Sequence, residues 1–164
     1  MLKRASVVQL SGTHTTLLNA APLIQPMEQR EDSLPKVLDS LPSSAKWALQ
    51  NICQTDDGQR FATALRIGTA IAVSDGSLKA SFGTAGFTIE AESKEGSVKG
   101  VNMVPGEIKE GDSHCCKLSG LCSIVLVVNA ICKLHRISEG SIKVHCDNQR
   151  ALCSAPVYWV PCCC

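Results

Sequence analysis

Three charged side chains stand where a folded chain can bring them together. Asp75 closes a short apolar run, Thr69 to Ser74, that reads as a strand. Asp147 follows a second such run, Ser141 to Cys146, and Lys117 lies in the early turns of a long apolar segment between the two. Two carboxylates and an ammonium at one rim would line a charged crevice. The remaining reactive side chains are thiols and imidazoles. His114, Cys115, Cys116 and Cys122 are zinc-type ligands, yet adjacent cysteines on a helix point about 100° apart and cannot easily share an ion. His145 and Cys146 alternate across a strand and face opposite sides. None of the ten cysteines is paired at C-x-x-C spacing, which removes the zinc-ribbon and thioredoxin readings. The terminal Cys162, Cys163 and Cys164 could accept lipid or oxidise, but Pro161 occupies the place a prenylated cysteine would need.

The elements that position the charged residues follow from punctuation. Gly83 to Glu90 is a second strand and Ser97 to Val104 a third, separated by Glu95-Gly96 and bounded by Pro105-Gly106. Asp112 or Ser113 caps a helix that carries Leu118, Leu121, Ile124, Val128 and Ile131. Lys133, His135 and Arg136 suit its C-terminus, and Gly140 ends it. Short links make the first three strands antiparallel, and the long helix returns the chain to a parallel fourth strand. If strand four lies beside strand one, Asp75, Lys117 and Asp147 meet at the C-terminal edge, where open α/β sheets usually place their chemistry.

Composition bounds the rest. The 164 residues are 45% hydrophobic and 19% charged, enough for one domain with a core. A net charge of +1 shows no strongly basic surface, and 4% aromatics argue against a stacking platform. The apolar stretch Leu118 to Cys132 is too short and broken for a membrane span, so a membrane partner is not expected. No signal-peptide core follows Lys3-Arg4, so the cysteines read as small apolar groups in a reducing compartment, nucleus or cytoplasm. The acid-free first 27 residues also fit a transit peptide. Residues 1–42, with Pro22, Pro26, Pro35 and Pro42, read as poorly ordered; 43–68 as a short helical flank; 69–153 as the domain; and 154–164 as an irregular cysteine-rich tail.

The order and spacing of Ser74-Asp75-Gly76-Ser77, Gly83-Thr84-Ala85-Gly86-Phe87, the segment from Asp112 through Lys117 to Leu121, and Cys146-Asp147-Asn148 resemble the ribonuclease H-like domain of retroelement polyproteins. The resemblance covers about residues 69 to 152. It implies a mixed α/β (α+β) fold: three antiparallel strands, a crossover helix and a parallel fourth strand, C-terminally incomplete. It also implies that Asp75 and Asp147 hold magnesium for cleavage of the RNA strand of an RNA–DNA hybrid, with Ser77 and Asn148 near the nucleic acid. Two clustered divalent ions would activate water and stabilise the leaving oxygen.

The departure is Lys117, which stands where the family has a glutamate, and the family's last acidic position lies beyond residue 164. The expectation is therefore a degenerate domain with residual hybrid binding and impaired or absent hydrolysis. One alternative is an active enzyme holding Mg2+ on Asp75 and Asp147. Another is a noncatalytic module that associates through its terminal cysteines. Strand 141–146 is expected to have an open edge through which the chain self-associates.

Overall fold

A computed structural model of the chain describes residues 6–10, 13–19, 33–79, 82–93, 96–105, 113–148 and 151. The strands are β1 (Ser6–Leu10), β2 (Thr13–Asn19), β3 (Cys53–Gln54), β4 (Ala70–Lys79), β5 (Phe82–Ala91), β6 (Ser97–Met103) and β7 (Ser141–Cys146). The helices are α1 (Leu34–Asp39), α2 (Gln59–Ile67) and α3 (Ser113–Leu134), with a 3-10 turn at Ser43–Leu49. The sheet runs β1-β2-β7-β4-β5-β6-β3. Its pairs are antiparallel except β4 with β7, so the fold is a mixed α/β architecture with one parallel pair.

Alternation along the strands gives the sheet two unlike faces. On β4, Ala70, Ala72 and Ser74 are buried, whereas Val73, Asp75, Ser77 and Lys79 are exposed. The buried face packs on α3, and α1 and α2 complete one apolar cluster with Leu34, Phe61, Leu65, Ile89, Ile124 and Ile131. The other face is solvent-exposed among the described residues, with Val73, Phe82, Val101 and Met103 all exposed on it.

Why α3 is a helix despite its β-branched run is a matter of magnitudes. A β-branched residue loses up to ~0.7 kcal/mol of helix propensity relative to alanine. Burying a Val or Ile side chain contributes about 1.5–3 kcal/mol. Ile124, Val127, Val128 and Ile131 are all buried, so packing decides. The helix ends at Leu134, short of the stop expected at Gly140, and its 22 residues are long and apolar enough to cross a membrane by length and composition. Here most of it is buried within the fold.

Several expectations need correcting. Strand one does not stop at Asp75; it runs to Lys79, because all ten of its residues pair with β5. Gly76 stays in the strand, and its missing Cβ lets α3 come close: a Cβ there would lie 2.5 Å from the Cys116 carbonyl carbon. Residues 1–42 contain more structure than their prolines suggest. Pro35 lies in the first turn of α1, where its fixed φ suits a helix start, and Leu34, Val37 and Leu38 are buried. The edge of β7 is not open, because β2 pairs along its whole length from Ser141 to Cys146. The flank at 43–68 contributes to the same core as the strands, through Phe61, Ala62 and Leu65. Gly58 and Gly68 bound α2 at its two ends, with φ of 77° and 78°. The tail at 154–164 lies outside the described residues.

Candidate functional site

Asp75, Lys117 and Asp147 meet, by a route slightly different from the one the sequence suggests. The parallel pairing of β4 with β7 ends at Ser74 opposite Cys146. Asp75 is therefore the first β4 residue with no β7 partner, and Asp147 is the first residue beyond β7. It is β7, not β4, that ends at this level and opens the rim.

Helix α3 is pressed onto β4 at this point. Ser74 Oγ donates a hydrogen bond to the Lys117 carbonyl oxygen at 3.3 Å. A Cβ at Gly120 would overlap Ser74 Oγ and lie 3.1 Å from the Gly86 carbonyl oxygen. Gly76 on the strand and Gly120 on the helix thus set the close approach from both sides. This contact was not read from the sequence; its signal is Ser119-Gly120, two small residues inside an apolar helix.

The approach fixes where the Lys117 side chain can go. It is 13% exposed, and its ammonium donates a hydrogen bond to Asp147 Oδ1 and lies 3.6 Å from Asp75 Oδ1. The carboxylates are open to water, 80% exposed for Asp75 and 68% for Asp147. Asp75 Oδ1 also accepts the Gly76 N–H at 2.7 Å. The Lys117 pKa is raised: the hydrogen bond to Asp147 is the largest cause, partial burial opposes it, and attraction to Asp147, Asp75 and Cys146 adds to it. Burial is the main cause of the raised Cys146 thiol pKa.

The other candidates fall as follows. Ser77 is exposed on the face that carries Asp75, and its carbonyl oxygen receives the Thr84 hydroxyl at 3.5 Å. Asn148 Oδ1 accepts the Ala151 N–H at 3.0 Å, so its amide oxygen is engaged within its own segment. Cys115 is exposed and Cys116 buried, as their angular separation on a helix requires. Among the described residues no three His, Cys, Asp or Glu side chains gather as a metal group. Cys162, Cys163 and Cys164 lie outside the described residues.

Two divalent cations need several oxygen ligands in near-octahedral geometry. This rim offers two carboxylates with an ammonium between them, a donor set that does not fit a two-cation centre. No family model, curated protein or solved structure matches the chain.

Proposed function

We propose that the chain is a degenerate ribonuclease H-like domain of retroelement origin that binds RNA–DNA hybrid weakly and does not hydrolyse it. The reading rests on the residue motifs, on the element order around the parallel β4–β7 pair, and above all on one observation. Lys117 extends its ammonium to both Asp75 and Asp147, where the family chemistry needs a third carboxylate and metal. An ammonium there satisfies the carboxylates electrostatically but cannot activate water or accept coordination from a phosphate oxygen. Binding needs none of that chemistry, because phosphate and ribose contacts are sequence-independent and require only donors and positive charge.

The test pairs a gel shift with a cleavage assay on one RNA–DNA hybrid in magnesium buffer. The expected result is a salt-sensitive shift without turnover. Magnesium-dependent cleavage that disappears in Asp75→Asn would contradict the loss of hydrolysis, and the absence of any shift at low salt would contradict the binding.

A further inference from the structure

Strand β4 continues beyond the end of β7. All ten of its residues pair with β5, but on its other side the pairing with β7 stops at Ser74. From Asp75 to Lys79 that side has no strand beside it among the described residues. The Gly76 N–H points to this free side, where it donates to Asp75 Oδ1 at 2.7 Å. The Ser77 carbonyl points the other way, toward the Thr84 hydroxyl on β5. Backbone groups alternate along a strand, so Gly76 and Leu78 both present N–H and C=O at the free edge. A row of groups at that spacing is matched by another extended backbone.

Space and charge narrow the occupant. The place beside Asp75 is closed at the rim by Cys146 and Asp147. A second copy's β4, paired antiparallel so that its Lys79 met Asp75, would carry its next residue to the level of Ser74, where Cys146 already stands. A chain that starts at the rim avoids this collision. It lies in line with β7, parallel to β4, and its first residue sits beside Gly76. The rim also selects the sign of that end. Asp75 and Asp147 have one ammonium between them, so one negative charge there has no counter-charge among the described residues. At the far end of the edge stands Lys79, exposed.

We propose that the Asp75–Lys79 edge binds the amino-terminal segment of a partner protein as an added parallel strand. The α-ammonium of the segment meets the Asp75 and Asp147 carboxylates and neutralises the remaining charge. Its second and fourth N–H groups donate to the Gly76 and Leu78 carbonyls, and its second carbonyl accepts the Leu78 N–H. A chain that starts there has no earlier carbonyl for the Gly76 N–H, which Asp75 Oδ1 already satisfies. The third residue lies beside half-buried Leu78 and is apolar; the fourth lies beside Lys79 and is acidic. The proposal goes beyond hybrid binding and does not depend on it.

Titration of the 15N-labelled full chain with the peptide Ala-Thr-Val-Glu, free at its amino end, tests it by NMR. Saturable shifts are expected at the Gly76, Leu78 and Lys79 amides. Acetylating the amino end, or placing proline second, should each weaken binding at least about threefold. Lys79→Glu, with an unchanged unfolding temperature, should prefer Ala-Thr-Val-Lys to Ala-Thr-Val-Glu. An acetylated peptide that binds as tightly would overturn the capture of the ammonium, and a proline peptide that binds as tightly would overturn strand addition. No saturable shift at millimolar peptide would overturn the proposal outright. In that event a dimer in sedimentation would assign the edge to a second copy. Binding that appears only after removal of residues 154–164 would assign it to the chain's own C-terminal segment.

Discussion

Lys117 is where charge, packing and function coincide. Its stem is largely buried at the α3–β4 contact, and only the ammonium reaches the rim. A lysine about 5 Å from an aspartate is worth ~3 kcal/mol at an effective dielectric of 20. Both carboxylates are mostly exposed, however, and such pairs typically measure ~0.2–1 kcal/mol. Lys117→Met, which keeps the stem, is therefore expected to lower stability by less than about 1 kcal/mol at pH 7, read as a denaturant midpoint. The pH dependence has a definite sign. The folded-state pKa is raised above 10.5, so the contribution is fully present below that value and lost as pH rises through the folded pKa. Wild type and Lys117→Met should converge in strongly alkaline buffer; a gap that widens there would refute the assignment. Burial raises the Cys132 thiol from 9.0 to about 12, so between those values the unfolded chain ionises first and stability falls with rising pH. In native-state alkylation near pH 8, exposed Cys53 and Cys115 should therefore react well before Cys132, and equal rates would contradict its burial. The trio was legible from element order alone. What was not legible is that Asp75 sits inside a strand, because how far β7 runs beside β4 is set by tertiary pairing.

At the scale of elements, the α3–β4 crossing controls the site. Gly120→Ala would force a Cβ into Ser74 Oγ, and overpacking of this kind costs about 1–3 kcal/mol. The expected outcome is a lower urea midpoint and a looser Asp75–Lys117 pair; an unchanged midpoint would mean that the two elements are not in close contact. Gly86→Val should do the opposite, adding up to about 1 kcal/mol from strand propensity. Sequence punctuation located β5, β6, β7 and the start of α3 to within a residue or two, because glycines, prolines and caps mark ends chemically, but it placed the end of α3 at Gly140 rather than Leu134. It missed β3, whose two residues matter only through pairing with β6. It also took Ser43–Leu49 as the start of an ordinary helix, where the chain forms a 3-10 turn.

For the whole molecule, the N-terminal hairpin alters the expected behaviour. β7 would be a pairing edge by itself, and β2 covers it. Removing residues 1–32 is therefore expected to produce concentration-dependent self-association by light scattering, with β7 exposed. A monodisperse monomer after that deletion would show that β2 does not protect the edge. The pairing was invisible in the sequence, since Thr13–Asn19 has no sustained apolar alternation and its partner lies more than one hundred residues away. The two-sided nature of the sheet was likewise hidden, because it depends on the described helices packing into one core cluster against one face.

Manganese titration followed by NMR tests the central claim most directly, because the paramagnetic ion broadens only nearby signals. In the wild type, signals of Asp75, Lys117 and Asp147 should show no selective broadening at submillimolar manganese. Lys117→Glu, which replaces the ammonium with a third carboxylate, should show it at all three positions and gain thermal stability with added cation. Selective broadening at Asp75 and Asp147 in the wild type, at the same concentrations, would contradict the account.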